Sequence, residues 1–129
     1  MLDIIQISYH ESTADENFEI LKLFAPEAKR IQGVKGIFEA HKAAAEIAET
    51  THFYVVDADA VIEEEFTFKF KPKATEFEYG SIPQTDCVYT WRSRNPVNDL
   101  LYGYGGVKLF PKKALMDAKN WKIDMTTTI

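Results

Sequence analysis

An alanine-rich amphipathic stretch, Ile37 to Thr50, runs almost directly into the apolar segment His52 to Asp57, and this junction constrains the fold more than any other feature. Ile37, Ala40, Ala44, Ile47 and Ala48 recur at helical spacing, while Glu39, Lys42, Glu46 and Glu49 fall mostly on the opposite side. That pattern predicts a helix with one buried face. Alanines on the buried side imply close approach to a sheet. Leu2 to Ser8 is rich in isoleucine and predicts a buried first strand, and Lys29 to Gln32 a short second one. A helix over Asn17 to Phe24, capped by Thr13 or Asp15 and ended by Pro26, joins them, with Phe18, Leu21 and Phe24 or Ala25 on one face. Strand, helix, strand in this order favours a right-handed crossover and parallel pairing. The expected class is α/β with a mostly parallel, mixed sheet.

Beyond residue 59 the texture changes. Phe66, Phe68 and Phe70 alternate with Thr67, Lys69 and Lys71, which predicts a half-exposed strand. Pro72 to Gln84 has turn chemistry. Cys87, Tyr89 and Trp91 alternate with Val88, Thr90 and Arg92 as a further strand, broken at Arg94-Asn95-Pro96. Tyr102-Gly103-Tyr104-Gly105-Gly106 reads as an aromatic, glycine-rich loop leading into a short strand, Val107 to Phe110. Pro111 suits the first turn of a last helix reaching about Asp117.

At 129 residues one domain is expected, spanning 1–129. A net charge of −5 argues against non-specific attraction to nucleic acid or anionic membrane. The single cysteine, Cys87, forms no internal disulfide, which fits a reducing compartment, and its alternation with Tyr89 and Trp91 reads as a small buried hydrophobe. No apolar stretch approaches the roughly 20 residues that cross a bilayer. The start, Met1-Leu2-Asp3-Ile4, lacks the basic region of a secretory signal, so a soluble cytoplasmic protein is expected. The polar, β-favouring end Asp124 to Ile129 leaves two readings open: a frayed tail, or one part of a longer protein.

The chemistry-bearing motif is Asp57-Ala58-Asp59, directly after Phe53-Tyr54-Val55-Val56. It places two carboxylates at the carboxyl edge of a sheet, where open α/β sheets bind ligands. Carboxylate oxygens suit Mg²⁺ or Mn²⁺, which are commonly held by one or two carboxylates together with a substrate's phosphates. A solvated acidic turn is the plain alternative. Three scattered histidines without an i,i+4 pair argue against a zinc hydrolase.

Gly33-Val34-Lys35-Gly36, Ala40-His41-Lys42-Ala43 and Phe53 to Asp59 together resemble the front half of a GT-A glycosyltransferase, the nucleotide-diphosphosugar transferase fold. Trp91 to Asn98, Tyr102 to Pro111 and Thr126-Thr127 look like a group of bacteriophage glycosyltransferase-like proteins. The resemblance implies a three-layer α/β/α arrangement, complete or as the N-terminal nucleotide-binding part only. It implies a nucleotide-diphosphate sugar donor, most simply a UDP-sugar, with Asp57 and Asp59 holding Mn²⁺ or Mg²⁺ against the diphosphate. Ser8, Tyr9, His10 and Glu11 then fall where the first strand ends and the nucleoside is met. Gly33, Lys35 and Gly36 lie at a turn whose backbone N–H groups can approach a phosphate, and His41 lies one helical turn on. Arg94, Asn95 and Asn98, with Tyr104, Gly105 and Gly106, supply donors and close backbone approach for sugar or acceptor. The acceptor is unspecified, modified DNA being one candidate, and a phage-encoded protein would act in the host cytoplasm.

One departure stands out. Metal-dependent members of the fold often carry a third ligand, commonly histidine, late in the domain, and no histidine follows His52. Two rivals therefore remain: a phage-derived domain that binds a nucleotide sugar without turnover, and a metal-dependent phosphoesterase or nucleotidyltransferase recruiting Glu63 to Glu65.

Overall fold

The structure is a computed structural model that describes residues 2–9, 12–58, 67–91, 93–94, 101–102 and 106–117. In chain order its elements are β1 (Asp3–Ser8), α1 (Ala14–Phe24), β2 (Lys29–Gln32), α2 (Ile37–Ile47), β3 (His52–Asp57), the hairpin strands β4 (Phe77–Glu78) and β5 (Ile82–Pro83), a 3-10 turn (Gln84–Asp86), β6 (Tyr89–Thr90), β7 (Ser93–Arg94), β8 (Leu101–Tyr102), β9 (Val107–Pro111) and α3 (Lys112–Asp117).

Five strands form the main sheet in the order β2-β1-β3-β9-β6. β1 pairs in parallel with β2 and β3, whereas β9 is antiparallel to both β3 and β6. Within this sheet β9 alone runs against the others, so the sheet is mixed and mostly parallel, as the sequence implies.

Successive side chains of β1 and β3 point to opposite faces and build two cores. On one face Leu21 and Ala25, from α1 and its end, pack on Ile4, Tyr54, Val56 and Leu109. On the other, Ala44, Ala45 and Ala48 bring α2 close to Ile5, Phe53, Val55 and Phe110, and Leu115 of α3 joins them. Helices thus cover both faces. The chain leaves β1 through α1 to reach β2 on one side, then returns through α2 to β3 on the other. Two crossovers of the same hand put their helices on opposite faces. The carboxyl ends of β1 and β3 therefore flank the point where the strand order reverses, the position at which open α/β sheets form a ligand crevice.

Several local expectations need correction. α1 starts at Ala14 rather than Asn17, because the Asn17 amide already donates to the Thr13 carbonyl at 2.9 Å. α2 ends at Ile47 rather than Thr50. Lys112 Nζ donates to the Ala48 carbonyl (2.6 Å), and Thr50 Oγ1 accepts from the Asp3 amide (3.0 Å), which ties the segment after α2 to the neighbouring elements. The buried stripe of α2 is also rotated: Ile37 and Ile47 are exposed, and Ala40, His41, Ala44 and Ala45 face inward. Pro111 closes β9 opposite His52, so α3 begins one residue later than expected.

The predicted strand over Phe66 to Phe70 does not form among its described residues. Phe68 and Lys69 make a turn, and Phe66 lies outside the described residues. Ring contacts hold the segment instead: Phe68 meets Tyr54 edge-on at 5.1 Å, and Phe70 meets Tyr89 at 4.8 Å. Of the strand expected over Cys87 to Arg92, Tyr89 and Thr90 pair opposite Leu109 and Lys108, the Trp91 amide donates to the Val107 carbonyl at 3.1 Å, and Arg92 lies outside the described residues. Cys87 is half-buried, and burial pushes its thiol up, which keeps it protonated and a poor nucleophile near neutrality.

Tyr54 gives a pH-dependent prediction. Its ring is buried, its hydroxyl donates to the Phe70 carbonyl at 2.6 Å, and burial pushes its pKa up to about 12. The unfolded chain loses this proton near pH 10, whereas the folded chain keeps it to about 12, so the stabilisation is complete below pH 10 and is lost as pH rises towards 12. Tyr89 is raised by burial as well and adds in the same direction. Tyr54→Phe should flatten the fall of denaturation midpoint between pH 10 and 12, while costing roughly 1 kcal/mol at neutral pH through the stranded Phe70 carbonyl. An unchanged slope would show that this phenol does not govern the alkaline transition.

Candidate functional site

A cleft of about 440 Å³ opens where β1 and β3 end and α2 begins. Ile7, Ser8 and Tyr9 line it from β1, Asp57 and Ala58 from β3, and Val34, Gly36, Ile37, Ala40 and His41 from the turn and first helical turns of α2. Five of the residues expected at the site, Ser8, Tyr9, Gly36, His41 and Asp57, are therefore brought together. The apolar side chains of Tyr9 and Ile37 are exposed, and the polar groups lie with them in the same lining.

Asp57 is held from both sides by backbone. It is the last register partner of β1, opposite Ile7, and its amide donates to the Gly106 carbonyl at 2.8 Å. This second bond continues the β3–β9 ladder by one residue beyond Val56 and Val107. A half-buried carboxylate is thus fixed at the sheet edge. Ala58, buried, follows it, and its carbonyl accepts from Asn17 Nδ2 of α1 at 2.8 Å.

Ser8 is 3% exposed, and its Oγ has no hydrogen-bond partner among the described residues. A buried hydroxyl left unpaired costs about 1–3 kcal/mol. Ser8 Oγ is closed off from solvent and follows Ile4 and Gln6 in the strand alternation, towards the α1 face, so Ser8 lines the cleft without offering this hydroxyl to it. His41 is buried, its Nδ1 lies 2.8 Å from the Ile37 carbonyl, and its ring meets Phe110 edge-on at 5.4 Å. Because a carbonyl only accepts, this contact puts a proton on Nδ1.

The start of α2 carries its own anion. Gly36, at φ +100°, caps the helix, and a Cβ there would collide with the Glu39 carboxylate. Glu39 stands three residues into the helix and folds back beside Gly36, into the space a Cβ there would fill. It complements the positive end of the helix dipole, so a phosphate docking at this turn would have to displace it. Gly33, also at positive φ, donates its amide to the Ser8 carbonyl (2.9 Å) and extends the β1–β2 ladder. Gly33 and Lys35 are exposed and do not line the cleft, and Gly106 enters only through its backbone.

His10, Glu11, Asp59, Asn95, Asn98, Tyr104 and Gly105 lie outside the described residues, as do Glu63 to Glu65, and Arg94 is described only as backbone of β7. Among the described residues no group of three or more His, Cys, Asp or Glu side chains forms a metal cage. Among the described residues Asp57 is the one acidic side chain in the lining, and one carboxylate together with a ligand's phosphates is a donor set that suits a hard divalent cation. Among the described residues no helix is long and apolar enough to cross a membrane. Val34 falls within the Gly33–Gly36 turn and Ala58 within the acidic motif that the sequence singles out, whereas Ile7, Ile37 and Ala40 carry no signal there as lining residues. No protein-family model, curated protein or solved structure matches the chain.

Proposed function

We propose that the cleft binds a nucleotide-diphosphate sugar, with Mn²⁺ or Mg²⁺ bridging Asp57 to the diphosphate, and that the chain is a GT-A-type glycosyltransferase domain. The observation that carries this reading is the position of Asp57: a carboxylate fixed by backbone pairing at the carboxyl end of β3, in the lining of a cleft at the reversal point of the sheet. The rim of Tyr9 and Ile37 offers apolar surface for a flat nucleoside base, while Asp57 offers its carboxylate to a cation carried by the phosphates. Asp59, next but one in sequence, is the second carboxylate of the motif. The cation, when bound, supplies Lewis-acid stabilisation of the departing nucleoside diphosphate. The chain's own part is to hold the donor at the sheet edge and to keep the carboxylates in place.

A thermal-shift series with nucleoside diphosphates and their sugars, each with and without Mn²⁺, tests the reading. Ligand at about 100 times Kd should stabilise the fold by about 2.7 kcal/mol, and the shift should require the cation. No shift with any diphosphate in the presence of Mn²⁺ would refute donor binding. Binding without slow release of sugar to water would favour the non-catalytic domain over the transferase.

A further inference from the structure

We infer that Asn17 is a positioning residue for Asp57 and Ala58 at the end of β3, an inference that rests on the metal-bridged reading of the cleft. Ala14, Asn17, Leu21 and Ala25 form one buried stripe along α1 and its end, facing the sheet. Three of the four are apolar. Asn17, 8% exposed, occupies a position where a leucine or alanine would continue the stripe. Asparagine is a poor residue for a helix interior, and burying an amide is unfavourable unless its hydrogen bonds are made.

Those bonds account for the choice. Asn17 Nδ2 donates to the Ala58 carbonyl at 2.8 Å, across 41 residues of sequence, and to Thr13 Oγ1 at 3.3 Å. Beside it Gln6, buried in β1, donates from Nε2 to the Ala14 carbonyl at 3.2 Å. The first turn of α1 is thereby tied to β1 on one side and to the turn after β3 on the other. The Asp57 amide is held independently by the Gly106 carbonyl. The peptide segment that joins the two acids is thus pinned on its α1 side by one side-chain amide. Hydrogen bonds that orient metal-binding carboxylates affect metal affinity strongly although they never touch the ion. The residue has no other evident use: it does not line the cleft and does not cap α1.

Two variants read this out, Asn17→Leu, which completes the apolar stripe, and Asn17→Ala, which keeps the helix if leucine does not fit. The measurements are Mn²⁺ affinity in the presence of UDP by calorimetry, melting temperature, and amide hydrogen exchange over residues 57–59. The expected result is an affinity lowered about 10- to 100-fold, with faster exchange confined to the turn and a melting temperature lowered by only about 3–6 °C, the cost of the stranded Ala58 carbonyl. Parent-like affinity and exchange in a folded variant would overturn the positioning role and leave the metal reading intact. If the parent chain itself binds no Mn²⁺ with UDP, the metal reading fails and the positioning role falls with it. Loss of melting temperature in proportion to loss of affinity would assign Asn17 to the core alone.

Discussion

Asp57→Asn is expected to lower the affinity for a nucleoside diphosphate by more than about 100-fold in the presence of Mn²⁺, and to leave it unchanged or raise it in the absence of the cation. The opposite signs follow from charge. With a cation between them, carboxylate and diphosphate attract through a shared ion; without it, they are two anions facing each other. At about 5 Å and an effective dielectric constant of about 20–80 that repulsion is worth roughly 1–3 kcal/mol, and asparagine removes it. The fold should tolerate the change, because Asp57 is fixed through its backbone, by β1 on one side and the Gly106 carbonyl on the other. Calorimetric titration of both proteins with UDP, with Mn²⁺ and with chelator, gives the four affinities needed. An equal loss under both conditions would mean that the carboxylate supports the cleft without holding a cation.

The legibility of this site in sequence follows the physics of each element. β3 is readable to the residue because its continuous apolar run, buried on both faces as in a central parallel strand, is bounded by His52 and Asp57. Its neighbours follow: an alanine-rich helix leading into such a strand specifies a parallel crossover, and the crossover specifies where the carboxyl edge lies. The cleft is therefore visible in outline from the order of elements alone. Asn17 shows the limit. The sequence places Asn17 at the start of α1, behind a cap at Thr13 or Asp15, whereas its side chain reaches a carbonyl 41 residues away. Only the apolar stripe of Ala14, Leu21 and Ala25 around it carries a signal, and that stripe becomes apparent once the helix is known to begin at Ala14. The rotation of α2 has a similar cause. Ala44, Ala45 and Ala48 take the inward face and His41 meets Phe110 edge-on, which leaves Ile47 at the outer edge of the buried arc and Ile37 in the first turn at the exposed cleft. The segment from Phe68 to Phe70 illustrates a different limit. Alternation predicts a strand wherever aromatic rings recur, yet these rings are satisfied by Tyr54, Tyr89 and Trp91 without a ladder.

Phe110→Ala is expected to destabilise the fold more than any of the substitutions above. Phe110 is fully buried on β9, opposite Phe53, whose ring stacks on it at 6.1 Å. It belongs to the cluster that unites Ala44, Ala45 and Ala48 of α2 with Leu115 of α3. Removing a buried phenylalanine typically costs about 3–5 kcal/mol, part transfer and part cavity, against a total stability of roughly 5–15 kcal/mol for a domain. On the α2 side the walls are Ala44, Ala45 and Ala48, which have no longer side chain to swing in, so any filling of the cavity has to come from Phe53 or Leu115. A fall in melting temperature of roughly 10–20 °C follows for a chain of this size. Phe110→Leu should cost much less, because most of the volume stays. The alanine substitution also removes the ring that His41 meets edge-on, so in protein that remains folded UDP affinity should fall as well. Leu115→Ala, in the same cluster but on α3, should lower stability without that loss. Melting curves and calorimetry on the three variants separate the effects: equal affinity losses for Phe110→Ala and Leu115→Ala would show that packing of α2 as a whole, and not the Phe110 ring, sets the His41 side of the cleft.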